Sequence, residues 1–124
     1  MLKDEAIAQA LDFVRNHYPV IPPLVMVQHL IRRRLQHREQ LEVENWIQLP
    51  GETELHHAVS VHDLADFPTL DLSPVVGKWI VAFRTLEDQR NAGMPENLVL
   101  TVDDLDSTVR PMGHHEHRLS PNQR

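Results

Sequence analysis

The stretch GKWIVAFR, residues 77–84, limits the fold more than any other segment of this 124-residue chain. Read at the two-residue period of a β-strand, it places Trp79, Val81 and Phe83 on one face and Ile80 and Ala82 on the other. Both faces are apolar, so the strand belongs in the interior of a sheet, covered on at least one side by helix. Aromatic residues make up only 5% of the chain, so Leu, Val and Ile must supply most of the core.

Residues 3–17 supply one such helix. Ala6, Ile7, Ala10, Leu11 and Val14 follow the i, i+3, i+4, i+7 pattern, and Asp4 and Glu5 sit at the positive end of the helix dipole. The prolines of YPVIPP then end it, because Pro19, Pro22 and Pro23 cannot donate backbone hydrogen bonds. A second helix is expected from Pro22 or Pro23 to about Gln40, with Leu24, Val27, Ile31 and Leu35 as its apolar stripe. Val25, Met26 and Leu30 are apolar off that stripe. From Val43 to Leu49 the period becomes two, and Pro50 and Gly51 close that strand.

HHAVSVHD, residues 56–63, alternates again, with His57, Val59 and Val61 opposite His56, Ala58, Ser60 and His62. It reads as a half-exposed strand. DLADFPTLDLSP reads as a loop with at most a helical turn, TLEDQRNAGMPEN as a connection with one helical turn before Gly93, and LVLTVD as a strand. DDLDSTVRPM reads as a tight turn at Asp104–Ser107 followed by a short strand ending at Pro111. The order predicts an α+β domain over residues 1–112, with two N-terminal helices on one face of a four- to five-stranded, mainly antiparallel sheet. Residues 113–124, GHHEHRLSPNQR, are expected to form a flexible histidine-containing tail.

The opening helix DEAIAQALDFV, the strand KWIVAF with its leading Trp, and the closing hairpin LVLTVDDLDSTVR resemble small PepSY-like and cystatin-like α+β modules, including some polymorphic-toxin immunity proteins. The resemblance covers the first helix and residues 78–110. It implies a noncatalytic domain that binds proteins or inhibits enzymes, and it transfers no site residue.

Composition narrows the chemistry. With no cysteine, disulfides, thiolate catalysis, Cys-ligated zinc and iron–sulfur clusters are excluded. Asp4, Glu5 and Asp12 interrupt any secretion signal, and no apolar run reaches the roughly 18 residues of a membrane span, so a soluble, cytoplasmic protein is expected. The net charge of −6 is concentrated in residues 50–109, where three basic residues face eleven acidic ones. Such a body disfavours nonspecific binding to nucleic acid or anionic membranes.

The basic run RRRLQHR, residues 32–38, is the first candidate site. On a helix Arg34 and Arg38 stack one turn apart, and Arg33, Arg34 and Arg38 would meet an acidic patch on a partner protein or in the chain's own second half. No aromatic residue interleaves with them to stack bases, so nucleic acid is not expected. Asp103, Asp104 and Asp106 lack EF-hand spacing, and hydrogen bonding to their own turn explains them.

Nine histidines suit an alternative, a transition-metal-binding protein or metal-dependent enzyme using zinc, nickel or copper. Its ligands would be His114, His115 and His117, joined by His56 and His57. Successive strand residues point to opposite faces, so His56 and His57 need ligands from elsewhere. No GxSxG elbow, HExxH motif or glycine-rich phosphate loop is present. The reading is a noncatalytic binding or interaction module without a cofactor, whose partner is another protein or a second copy of itself.

Overall fold

The computed structural model describes residues 1–66, 71 and 74–112. The expected tail at 113–124, with His114, His115 and His117, lies outside the described residues. The chain is an α+β domain: helix α1 (Lys3–His17), strands β1 (Leu24–Leu35), β2 (Arg38–Gln48) and β3 (Leu55–Asp63), a 3₁₀ turn at Leu64–Asp66, strand β4 (Lys78–Arg84), the short helix α2 (Glu87–Asn91), and strands β5 (Asn97–Asp103) and β6 (Val109–Pro111). The strands form one antiparallel sheet in the order β3-β2-β1-β4-β5-β6. No described helix is long and apolar enough to cross a membrane.

α1 forms where the apolar periodicity places it. The Glu5 carboxylate accepts the Leu2 backbone N–H at 3.1 Å, and the Tyr18 N–H closes the last turn on the Val14 carbonyl at 2.9 Å. Its buried stripe is Ala6, Ala10 and Val14, small enough to let the helix axis approach the sheet closely. α1 packs along β4, β5 and β6, where it meets Trp79, Val81, Phe83, Leu98, Leu100 and Val102. β4 holds the interior position that its two apolar faces demand, with β1 on one side and β5 on the other.

The expected second helix is not there. Residues 24–48 form a β-hairpin instead, which raises the sheet to six strands and leaves α1 as the long helix. The apolar residues off the helical stripe explain the outcome. β1 lies between β2 and β4, so both of its faces need apolar side chains: Val27 is buried on the α1 side and Leu30 on the other. The β-branched Val25, Val27 and Ile31 also favour a pleated strand over a helix. Pro22 and Pro23 lead into the strand rather than into a helix, and the Pro23 carbonyl accepts the Arg84 N–H at 2.9 Å. The hairpin turns on Gln36 and His37, at φ 50° and 68°. Two positive φ angles are what a two-residue hairpin loop needs, yet Gln-His carries none of the Asn-Gly signature that announces one.

Strand pairing aligns side chains in rows across the sheet. On the α1 side one row runs His57, Trp46, Val27, Val81, Leu100, and the next runs Val59, Glu44, His29, Trp79, Val102. On the opposite side, Leu30, Leu41 and Ile80 form a smaller cluster roofed by Leu64, Val75 and Val76.

Candidate functional site

α1 covers the β4–β6 half of its sheet face and leaves the β2–β3 half, with the far end of β1, open. Three groups mark the boundary. Trp79 is buried in β4, and its indole N–H donates to Asp104 Oδ1 at 2.9 Å. His29 of β1 stacks on the Trp79 ring, with centroids 4.0 Å apart and planes 7° from parallel. The His29 Nε2–H donates to Asp104 Oδ2 at 3.2 Å, since an ionised carboxylate only accepts. The Met1 amino nitrogen lies 3.5 Å from Asp104 Oδ1.

Asp104 reaches this position because its neighbours form the turn. Asp103 Oδ1 accepts the N–H groups of Leu105 and Asp106, Asp106 Oδ1 accepts that of Thr108, and Ser107 takes φ 63°. The tight-turn reading of the aspartates therefore holds for Asp103 and Asp106, while Asp104 is turned inward as the acceptor for Trp79 and His29. Partial burial pushes the Asp104 carboxyl up, but hydrogen bonds from Trp79 and His29, with the positive charge of His29 and of the terminal ammonium, outweigh it and hold the pKa below the ordinary value. The Asp106 carboxyl is also lowered, chiefly by the Thr108 backbone N–H.

From Trp79 the rings continue onto the open half. Trp46 of β2 lies 5.7 Å from Trp79, and His57 of β3 stacks on Trp46 at 4.8 Å and 12°. The His57 Nε2–H donates to Glu44 Oε2 at 2.9 Å, which fixes the ring over Trp46. Lys3 Nζ sits 5.5 Å from the Trp46 ring centroid, a cation–π contact that brings the start of α1 to the edge of the open half. Met1, Leu2, Lys3, Asp4, His29, Ile31, Glu44, Trp46 and Trp79 bound an open cleft of about 450 Å³. Beyond it Val59 and Val61 lie bare, at 52% and 55% exposed. The open half thus carries Ile31 and Trp46 on the inner strands and Val59 and Val61 on the edge strand, with Glu42 set between Ile31 and Val61, Glu44 between His29 and Val59, and His57 and Lys3 against Trp46.

The His29 Nε2 is committed to Asp104 and its ring to Trp79, and among the described residues no serine or threonine hydroxyl hydrogen-bonds to it.

The arginine expectation needs correction, since the run lies on β1 and β2 and not on a helix. Arg33 and Arg38 project on the α1 side and Arg34 on the other, so Arg34 and Arg38 are not stacked. Arg33 Nη2 donates to Glu42 Oε2 at 3.0 Å, and Arg38 Nη1 stands 3.8 Å from Asp63 Oδ2. Arg33 and Arg34 line a shallow cleft with Gln40, Glu42 and Val61 at the edge of the bare strip.

His56 and His57 project to opposite faces, as alternation requires. His56 donates to Glu52 and His57 to Glu44. Among the described residues no group of three or more His, Asp or Glu side chains could hold a metal ion.

His29, Trp46, Glu44 and Asp104 were missed as a set. The link from His29 to Asp104 spans 75 residues of sequence, and only the β1–β4 pairing reveals it. One signal was available: GKWIVAFR places Trp79 on the same face as Val81 and Phe83, and a buried indole N–H requires a polar partner. The chain matches no family model, no curated protein and no solved structure.

Proposed function

We propose that the chain is a small noncatalytic binding module that recognises a protein through the half of the sheet face that α1 leaves bare. One observation carries this reading: on the open sheet face Trp46 lies diagonal to Val59, with Val61 beside it, while Glu42 and Glu44 of β2 stand between these valines and Ile31 and His29, and His57, Arg33 and Lys3 lie nearby. An aromatic ring with bare aliphatic neighbours gives a partner apolar area to bury, and the charged side chains interleaved with them give it polar groups to match. Trp46 is the anchor. His57, Trp79 and Lys3 hold its ring in place, so little side-chain freedom is lost when a partner covers it.

The resemblance of α1, β4 and the β5–β6 hairpin to PepSY-like and cystatin-like modules, including toxin-immunity proteins, supports the same reading. The transition-metal alternative draws no support from the described residues.

Replacing Val59 and Val61 together by Asp tests the proposal. Both side chains are more than half exposed, so the fold should melt within about 3 °C of the native chain. Affinity capture from the source cells, read by quantitative mass spectrometry, should lose the partner of the native chain at least about tenfold. Equal recovery of the same partner by the double variant would overturn the assignment.

A further inference from the structure

The open edge of β3 borders this surface and offers a place for a second copy of the chain, and the argument rests on the reading of the bare half as a binding region. The sheet has two edge strands, and only one is protected. β6 is three residues long and ends in Pro111, which blunts it. β3 is nine residues long, pairs with β2 without a register shift, and contains no proline, lysine or arginine. Among the described residues no strand pairs with its outer side.

The direction of its free backbone groups follows from the hairpin. The two-residue loop at Gln36-His37 makes Leu35 and Arg38 a hydrogen-bonded pair. Backbone polar groups alternate along a strand, so on β2 the even-numbered residues face β1 and the odd-numbered residues face β3. A direct contact checks the parity: the Leu30 carbonyl faces the β4 side, where it accepts the Gly77 N–H at 2.9 Å. The odd residues of β2, Leu41, Val43, Asn45 and Ile47, oppose His62, Ser60, Ala58 and His56. Even-numbered β3 residues therefore bond inward, and Leu55, His57, Val59, Val61 and Asp63 present their N–H and C=O groups outward.

This outward set is self-complementary about its centre. A two-fold axis at Val59 sets Val59 against its own copy, His57 against Val61 of the second copy, and Leu55 against Asp63. Each pair joins outward groups to outward groups, as an antiparallel ladder requires. No Asp, Glu, Lys or Arg opposes a residue of its own sign; His57 comes diagonal to the Asp63 carboxylate of the second copy, and on the other face Ala58 meets Ser60 and His56 meets His62. The bare strips of the two copies merge across the axis. Because β6 is blunted, pairing stops at two chains and does not propagate into a fibre.

We infer that the chain forms a symmetric dimer by antiparallel pairing of β3 with β3 of a second copy, centred on Val59. Sedimentation equilibrium of the full chain should give twice the chain mass at micromolar concentration. Val59→Lys opposes two ammonium groups at the axis and should weaken the dimer about tenfold or more, with an unchanged far-UV circular dichroism spectrum of the folded chain. The chain has no cysteine, so Val59→Cys supplies a single thiol pair across the axis. It should crosslink to itself under mild oxidation or with a short bis-maleimide, whereas Leu105→Cys, at a position 96% exposed, should not. A native chain that stays monomeric to millimolar concentration, or a dimer indifferent to Val59→Lys, overturns the inference. Either result leaves recognition of a different protein to be decided by the Val59, Val61 double substitution.

Discussion

Asp104→Ala should be among the costliest single changes outside the apolar core, and the structure sets its size. The substitution strands the Trp79 indole N–H, in a residue only 3% exposed, and takes the acceptor from His29. An unsatisfied buried donor costs about 1–3 kcal/mol, and a hydrogen bond to a charged group contributes about 1.5–3 kcal/mol. Asp104 itself keeps 28% of its side chain exposed, which trims the charged contribution, so the expected loss is about 2–4 kcal/mol at pH 7. In urea melts followed by tryptophan fluorescence the midpoint should fall with m unchanged, and the thermal midpoint should drop by roughly 10 °C.

Asp104→Asn separates charge from shape. It keeps an acceptor for Trp79 and should cost about 1 kcal/mol at pH 7. The folded-state pKa of Asp104 is depressed, so the carboxylate's contribution is complete above its unfolded pKa of about 3.9 and is lost as pH falls through the folded value. The gap between native and Asn proteins should therefore close below about pH 4. An Ala variant within about 0.5 kcal/mol of native, or an Asn deficit that persists unchanged into acid, would refute Asp104 as the organising acceptor.

Gln36→Asn with His37→Gly should stabilise the fold by about 1–2 kcal/mol in the same urea assay, because both residues hold positive φ that Asn and Gly adopt with less strain. Leu98→Ala, at a fully buried position against α1, should cost about 2–5 kcal/mol, whereas Val59→Ala at the bare strip should cost under about 1 kcal/mol. Arg33→Ala removes an exposed ion pair with Glu42 and should change stability by less than about 1 kcal/mol, an effect that added salt reduces further.

Much of the architecture was legible because period-two alternation is unambiguous when short strands sit between turn residues. β3, β4, β5, α1 and the turn at Asp104–Ser107 fall where the pattern puts them. The failure at residues 24–40 has one cause. In LVMVQHLIRRRL, Leu24, Val27 and Ile31 satisfy helical spacing, while Val25, Val27, His29 and Ile31 satisfy strand spacing equally well. Gln36-His37 gave no turn signal to break the tie. A strand in the interior of a sheet needs apolar residues on both faces, and that tertiary demand settled it.

The candidate site was less legible still. Its rings come from four strands, and Trp46, His57, His29 and Trp79 are brought together by registers that no single segment encodes. The arginines stood out in the sequence by being consecutive, yet alternation splits them between faces, and Glu42 and Asp63 pair with two of them.

If the bare half of the α1-side sheet face is where this chain meets another protein, a photo-crosslinking residue introduced singly at Val59, Val61, Arg32 or Leu105 in the source cells should show it, because Val59 and Val61 share that face while Arg32 lies on the opposite one, two strands in from the β3 edge. One and the same adduct is expected from positions 59 and 61, with little from 32 and none from 105. Adducts of equal yield at all four positions, or adducts confined to 32 or 105, would contradict it.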